Sequence, residues 1–580
     1  MNKIINSALL CLSVLSVKAD QKPNVIVILT DDQGYGDFSC HGNPVLKTPA
    51  LDRFHDQSVR FSNFHVAPLS TPTRGQLMTG LDAMHNKAST VLSGSCMMRR
   101  DIITMPEVFA QNGYKTGIFG KWHLGDNYPD RPMDRGFEKS NWIKGWGLSS
   151  EIEFDNDYYK TRYLDGLTTV QSDQYCTDMW FKKSMEWMES KQNAGETFFT
   201  FLSLNVPHGP FLAPRADFLS YCSNLDEKTA HFFGMIQNVD KNMDVLDKWL
   251  DDKGLKENTF IVYLTDNGTA GGMSVYNANM RGQKGSYYDG GHRAACFIKW
   301  PDGNLGLPRT IDHASNVQDL LPTFIDLFDL NVAPEHQFDG ISLKPLLMNE
   351  VVEKDRMFVV QQGPHVNPSK YNSCVVYDTW RLVGQNELYD LSVDPGQETN
   401  VAQQNPAILN QMRAYYESWW LTVYDQNAKH IPLVIGSEVE NPVILTSADW
   451  VGSGPNTQWN VAAGNDDVNG YWVIDAKVGG NYKMELSRWP FHINRSLTVT
   501  GPATAVGGTS IRIGKALAID AGCISLNSNN PVEVKSIVNE TKITFNINVP
   551  QGVNTLKAFF RDKNGQYLCG AYYVRIEKIP

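Results

Sequence analysis

The sequence predicts an α/β protein: a mixed, largely parallel sheet flanked by helices, then a smaller α+β subdomain and a C-terminal β-sandwich-like domain. Three observations predict it. Two apolar runs far apart in the chain, Asn24–Thr30 and Thr259–Thr265, read as strands buried on both faces of a parallel sheet. Before the second run, Phe232, Phe233, Ile236, Val239, Met243, Leu246 and Leu250 recur at helical spacing. Beyond about Trp420 the text changes to short β-rich runs separated by Gly, Pro and Asn, among them residues 471–475, 482–486, 543–549 and 571–576. At 580 residues, 42% hydrophobic and 20% charged, the chain has the composition of a globular protein of two or more domains. The net charge of -11 comes with no long Lys/Arg run, which argues against a nucleic-acid partner.

The elements follow in chain order. Met1-Asn2-Lys3, an apolar stretch and Val17-Lys18-Ala19 read as a cleavable signal peptide over residues 1–19, so an exported protein, periplasmic or secreted, is expected. The apolar run is too short to span a bilayer, and no stable membrane insertion is expected. An α/β catalytic domain is expected over residues 20–350, the smaller subdomain over 351–425 and the β-rich accessory domain over 436–580. The first strand run stops at Asp31-Asp32 and the later one at Asp266-Asn267-Gly268. Between them, residues 116–120 lead into Lys121-Trp122-His123, and residues 198–204 lead through Asn205-Val206-Pro207 to His208. In open α/β sheets the carboxyl ends of the strands form the ligand crevice, so these four segments can converge. Any one of the aspartates alone would serve equally as a turn former, Lys121 as a surface lysine and His123 as a core histidine. The repeated pattern is what groups them. Asp31, Asp32, Asp266 and the Asn267 amide oxygen suit a hard divalent cation; carboxylate-rich ligation favours Ca²⁺, and residue type leaves Mg²⁺ open.

Ser70-Thr71-Pro72-Thr73-Arg74 places a hydroxyl, a helix-starting proline and a cation in five positions, and a helix N-terminus attracts negative charge. Residues 281–286 and 289–293 form a glycine-rich basic stretch containing Lys284 and His292, which permits close backbone approach to a ligand. It lacks the spacing of a phosphate-binding P-loop.

This set resembles the type I, formylglycine-dependent sulfatases of the alkaline-phosphatase-like superfamily, in their bacterial Ser-type form. The resemblance runs from about Pro23 to about Ala402 and includes the Ser-x-Pro-x-Arg pentapeptide at Ser70, residues 120–125, Pro207-His208, Asp266-Asn267-Gly268, residues 282–285 and residues 387–395. It implies one Ca²⁺ held by Asp31, Asp32, Asp266 and Asn267, with Ser70 oxidised to formylglycine (3-oxoalanine) beside it as a further ligand. It also implies catalytic roles for Ser70, Arg74, Lys121, His123, His208 and Lys284. In the family mechanism the aldehyde hydrate attacks sulfur, His208 or Lys284 protonates the leaving oxygen, His123 helps restore the aldehyde, and Arg74 and Lys121 hold the formylglycine. Lys121, His208, Lys284 and His292 would contact substrate. Serine rather than cysteine at position 70 implies a radical-type formylglycine-generating maturase as partner.

The expected reaction is hydrolysis of a sulfate ester on a carbohydrate, a host glycan or an algal polysaccharide fragment. A phosphomonoester or phosphonate ester hydrolase of the same superfamily, and a secreted glycan-binding protein without turnover, are the alternatives. Trp142, Trp146, Tyr158 and Tyr159 could stack on sugar rings or belong to the core, as could Trp450, Trp459 and Trp489 in the C-terminal domain. Cys523 and Cys569 are candidate disulfide partners, buried free thiols being the alternative.

Overall fold

A computed structural model describes residues 22–580 apart from 92–93, 149, 151–155, 362–368, 424–429, 453–457, 465–468, 502–503, 506–510 and 538. The signal-peptide expectation therefore lies outside the described residues, as does the side chain of Trp459.

The body of the protein is an α/β unit built on a ten-stranded sheet, counted over the described residues. In chain order its strands are β1 (Asn24–Thr30), β2 (Val59–Phe61), β3 (Lys115–Lys121), β4 (Lys139–Ile143), β5 (Thr161–Asp165), β6 (Thr168–Ser172), β7 (Phe198–Ser203), β8 (Thr259–Thr265), β9 (Cys296–Lys299) and β10 (Arg309–Ile311). Their spatial order is β10-β2-β9-β8-β1-β7-β3-β4-β5-β6. The centre β8-β1-β7-β3-β4 is parallel throughout, with Asn24 opposite Thr259 and Thr30 opposite Thr265. That register carries Asp31 and Asp266 to the same edge. The outer strands β5, β6 and β9 run antiparallel to their neighbours.

Each face of the sheet packs one core. On one side, helices α3 (Cys176–Asn193) and α4 (Glu227–Asp252) cover Ile26, Ile28, Phe119 and Tyr263. The seven helix-spaced apolar residues of α4 are all buried, as their period requires. Helix α1 (Pro49–Asp56) lies in the same layer. On the other side, Val25, Val27, Leu29, Phe199 and Val262 pack against α2 (Ser70–Thr79) and the segment around Phe324.

After the sheet, a four-stranded antiparallel meander, β11 (Met357–Gln361), β12 (Ser373–Tyr377), β13 (Trp380–Val383) and β14 (Glu387–Asp390), is covered by α5 (Pro406–Val423). Among the described residues, the remaining chain forms two larger antiparallel-rich sheets and one two-stranded sheet, with one apolar core that contains Trp450, Trp472 and Trp489, all fully buried. Packing, not stacking on sugars, is the role of Trp450 and Trp489. Cys96 and Met97 from the α/β unit are part of this same core.

The disulfide expectation is corrected here. Cys523 lies opposite Phe559 and Cys569 opposite Phe560, on the two sides of the strand Gly552–Arg561. Two strand spacings, roughly 9–10 Å, separate them, beyond the ~7 Å that a bridge tolerates. Neither forms a disulfide.

Candidate active site

Helix α2 begins at Ser70, which follows an extended Leu69, and every residue of the helix is buried. Pro72 is the third helical residue, where its missing N–H is one that would have no intrahelical partner anyway. The N-terminus of α2 is thereby directed at the carboxyl edge of β1 and β8. Ser70 Oγ donates to Asp31 Oδ1 at 2.9 Å, and Thr73 Oγ1 donates to the Asp266 carbonyl at 2.7 Å.

The two strand ends interlock. The Asp32 backbone N–H donates to Asp266 Oδ1 at 2.9 Å, and Asn267 Nδ2 donates to the same oxygen at 2.7 Å while lying 3.4 Å from Ser70 Oγ. Asp32 adopts a left-handed φ of 70°, which turns its side chain back over the strand end. Gly268 must be glycine: a Cβ there would sit 2.2 Å from the Gly290 carbonyl oxygen, where the glycine-rich stretch closes over the corner.

Cations ring these acids. Lys121 Nζ, fully buried at the end of β3, lies 2.6 Å from Asp31 Oδ2. Lys284 Nζ lies 2.7 Å from Asp32 Oδ2. Arg74 is 3.6 Å from Asp266 Oδ2 and 3.9 Å from Asp31 Oδ2, and donates to the Lys121 carbonyl at 3.1 Å. His208 Nε2 lies 3.6 Å from Asp32 Oδ2, while its Nδ1 faces the Gly209 carbonyl at 2.8 Å. A carbonyl only accepts, so Nδ1 carries a proton. His123, at φ 59°, is buried near Lys121 and Arg74.

The electrostatics follow from this crowding. Burial opposes ionisation of Asp31, but Lys121, His208 and Arg74 outweigh it and hold its carboxyl well below the usual range. Burial and the neighbouring Asp31 push Asp266 upward. Desolvation lowers Lys121, His123 and His208, and adjacent cations add to the effect at each. Burial also works against the Lys284 ammonium, yet Asp32 and Asp31 raise it.

The residues also fit a bound cation. Asp266 Oδ2 and Asn267 Oδ1 are buried and accept no hydrogen bond from any described residue. Together with Asp31 and Asp32 they offer a set of hard oxygen donors at one corner, the chemistry of Ca²⁺ or Mg²⁺ rather than zinc.

His292 is set apart from this group. It is fully buried, with Nδ1 2.9 Å from His65 Nδ1 and Nε2 3.1 Å from the Tyr287 carbonyl, so both nitrogens are engaged in the joint with the meander and do not face the Ser70 cluster. Among the aromatic candidates, Trp142 and Tyr158 are core; the Tyr158 hydroxyl donates to the Asn205 and His208 carbonyls and so braces the His208 turn. Trp146 packs its ring 5.1 Å from that of His208, and Tyr159 is 42% exposed. Thr73 and Ser203 escape a sequence reading. Ser203 Oγ donates to the Lys121 carbonyl at 2.6 Å, and only its place at the end of β7 signals this.

Comparison with known proteins gives this geometry a setting. The profile of the Sulfatase family matches residues 23–330, more than half of the 580. Mouse Arylsulfatase J is 28% identical over 345 residues, covering 56% of this chain and 55% of its own, and dog N-acetylgalactosamine-6-sulfatase is 26% identical over 366 residues, covering 57% and 67%. The match thus spans little more than half the length of the mouse relative. The crystal structure of Ps i-CgsB in complex with k-i-k-neocarrahexaose superposes with a TM-score of 0.64 at 26% identity, covering 71% of this chain and 95% of that one. With the profile spanning all the strand ends that meet at Ser70, the chain belongs to the sulfatase family.

Proposed function

We propose that this protein is a sulfuric ester hydrolase acting on a sulfated carbohydrate, with Ser70 as the residue converted to formylglycine and a Ca²⁺ ion held by Asp31, Asp32, Asp266 and Asn267. The observation that carries the reading is Ser70 Oγ, 2.9 Å from Asp31, at the start of a wholly buried helix with Arg74 and Lys121 close by. When present, the aldehyde hydrate would supply the nucleophile and the metal would neutralise sulfate oxygens. Arg74 and Lys121 fix the Ser70 side by bonding to the acids around it. Lys284 and His208, both at Asp32, are the groups that can deliver a proton to a leaving oxygen. His123 is the remaining base, kept neutral by burial and the two cations beside it. Carbohydrate as the substrate class is supported by the relatives named N-acetylgalactosamine-6-sulfatase and by the neighbour solved with neocarrahexaose. Export to the periplasm or beyond, and maturation by a radical-type enzyme, belong to the same proposal and rest on residues 1–19 and on serine at position 70.

Peptide mass spectrometry of protein from its native host tests the modification. Loss of two hydrogens at Ser70 is expected, and unmodified serine throughout would turn the reading toward a binding protein. In parallel assays with sulfate and phosphate esters, sulfate release should dominate and vanish in Ser70→Ala while the fold persists. A faster, Ser70-dependent phosphatase would overturn the substrate assignment.

A further inference from the structure

Outside the Ser70 cluster, Cys40, His41 and His55 offer a thiol sulfur and ring nitrogens that all lie within 4.8 Å of one another. Cys40 and His41 sit in the short helix Ser39–His41 that ends the loop leaving Asp31-Asp32, and His55 is in the last turn of α1. Cys40 and His41 are adjacent, but His55 follows fourteen residues later with no metal-binding spacing, so no short motif announces the set.

The two imidazoles are placed as ligating side chains, whereas burial and the Asp52 carboxylate keep the Cys40 thiol protonated until a metal displaces its proton. His41 Nδ1 faces the Tyr35 carbonyl at 2.7 Å, which requires the proton on Nδ1 and leaves Nε2 with its lone pair. His55 Nδ1 faces the Asp56 carboxylate at 2.9 Å, with the same consequence. A hydrogen bond from the non-ligating nitrogen to a carbonyl or carboxylate is the outer-shell arrangement that orients metal-bound histidine. The ring planes are fixed by packing. Tyr35 stacks on His41 at 3.9 Å, and both imidazoles stand edge-on to Phe297, at 5.5 and 5.1 Å. The Cys40 backbone N–H donates to Asp52 Oδ1 at 3.0 Å, and that carboxylate also takes Ser39 and Thr48, so it anchors the turn and is not a spare ligand. All three residues are half-buried, which lets solvent reach the group.

We propose that Cys40, His41 and His55 form a second metal site, selective for a zinc-class transition ion, with water as the fourth ligand. Thiolate and imidazole prefer such ions, whereas the Asp31 corner offers oxygen only. Tetrahedral bonding at about 2.3 Å to sulfur and about 2.0 Å to nitrogen needs donor separations near 3.3–3.6 Å, so from separations of up to 4.8 Å the ion would draw the Ser39–His41 turn and the end of α1 together by about 1 Å. Binding forms a metal–sulfur bond and releases the thiol proton to solvent. Arg60, which donates to the His55 carbonyl, is the nearest opposing charge, and Asp52 and Asp56 offset it. The ion would pin the loop that begins at Asp31-Asp32 to helix α1.

Cobalt(II) titration of the purified full chain, stripped with EDTA and then given excess Ca²⁺, tests this. One equivalent of Co²⁺ should produce a near-ultraviolet thiolate-to-cobalt band and the visible bands of a tetrahedral ion, and Zn²⁺ should abolish both. Cys40→Ser should remove the thiolate band, His55→Gln should weaken the visible bands, and Asp31→Asn should leave the spectrum intact. Zn²⁺ should also raise the melting temperature of the unmutated protein but not of Cys40→Ser. The proposal fails if no thiolate band appears, if the spectrum survives in both Cys40→Ser and His55→Gln, or if it is lost only in Asp31→Asn. Should Cys40→Ser not fold, His55→Gln, altering a side chain at the rim of the group, decides the matter by the same bands.

Discussion

At the scale of single residues, Lys121 shows how tightly charge and fold are bound together in this protein. Its ammonium is wholly buried and its 2.6 Å contact with Asp31 is what keeps that carboxyl ionised, with Arg74 a more distant helper at 3.9 Å. Removing one partner of a buried pair leaves the other charge uncompensated, at a cost of ~3–5 kcal/mol. Lys121→Met should therefore lower stability by about 3 kcal/mol in Ca²⁺-free urea unfolding, the low end because Arg74 remains. If the proposed Ca²⁺ binds at the Asp31 corner, excess Ca²⁺ should restore part of the loss by taking over the missing charge. An unchanged unfolding midpoint without Ca²⁺ would show that the pair contributes nothing net. Asp31, Asp32, Lys121, His208, Asp266 and Asn267 were readable because they stand at or just beyond the ends of apolar strand runs, and Ser70 and Arg74 because they share the pentapeptide. The sequence did not reveal Ser203, whose hydroxyl holds the Lys121 carbonyl, since a serine at a strand end has no distinguishing pattern. Nor could it separate His292 from the cluster, because a glycine-rich basic stretch says nothing about which way each side chain turns.

Among the elements, the joint between the glycine-rich stretch and the meander carries a pH dependence. His292 at the end of the short helix Asp289–His292 is enclosed by His65, Asp289, Arg293, Arg381 and the Tyr287 carbonyl. Asp289 binds Arg381 at 2.9 Å and Arg293 at 2.8 Å, which ties this helix to β13. Burial, with Arg381 and Arg293 assisting, pushes His292 down to about 4. Above about pH 6.5 both folded and unfolded chains hold the ring neutral, and nothing is lost. As pH falls, the unfolded chain gains a proton that the buried ring refuses until about pH 4. Stability should therefore drop through that window by about 3 kcal/mol, from a shift of some two and a half units. Urea unfolding between pH 7.5 and roughly 4.5 should show this contribution, and His292→Gln should make the slope shallower by one proton's share, with His41, His65 and His123, each lowered by burial, supplying the rest. Equal slopes in both proteins would assign the pH dependence elsewhere. The element types themselves were legible from periodicity: the parallel centre of the sheet, α4 and the short C-terminal strands all follow their apolar patterns. Strand partners were less so. The Cys523 and Cys569 expectation failed because sequence gives no register, and one intervening strand is enough to keep two thiols apart.

Over the whole molecule, the C-terminal sheets are joined to the α/β unit rather than tethered to it. Their core includes Cys96 and Met97, Arg100 donates to the Pro432 carbonyl at 2.8 Å, and Asn127 donates to the Ile444 carbonyl at 3.1 Å. Between the two lies a groove of about 310 Å³ lined by Asp126, Asn127 and Lys144 on one side and by Ile444, Thr446, Phe491, His492 and Tyr573 on the other. Lys144 stands two residues before Trp146, whose ring packs against that of His208. On the proposed reading, a sugar chain leaving the Ser70 cluster on the Trp146 side meets Lys144, whose charge is shared with Asp126 and Asp449 in the groove and remains a cation there for a further sulfate of a polyanionic glycan. A small aryl sulfate would not reach it. Lys144→Ala should accordingly lower kcat/KM for a multiply sulfated oligosaccharide about tenfold, equivalent to ~1.4 kcal/mol, and leave kcat/KM for an aryl sulfate within about twofold. An equal loss on both substrates would mean that the substitution disturbs the His208 turn. No loss on either would mean that the glycan leaves the site by another face.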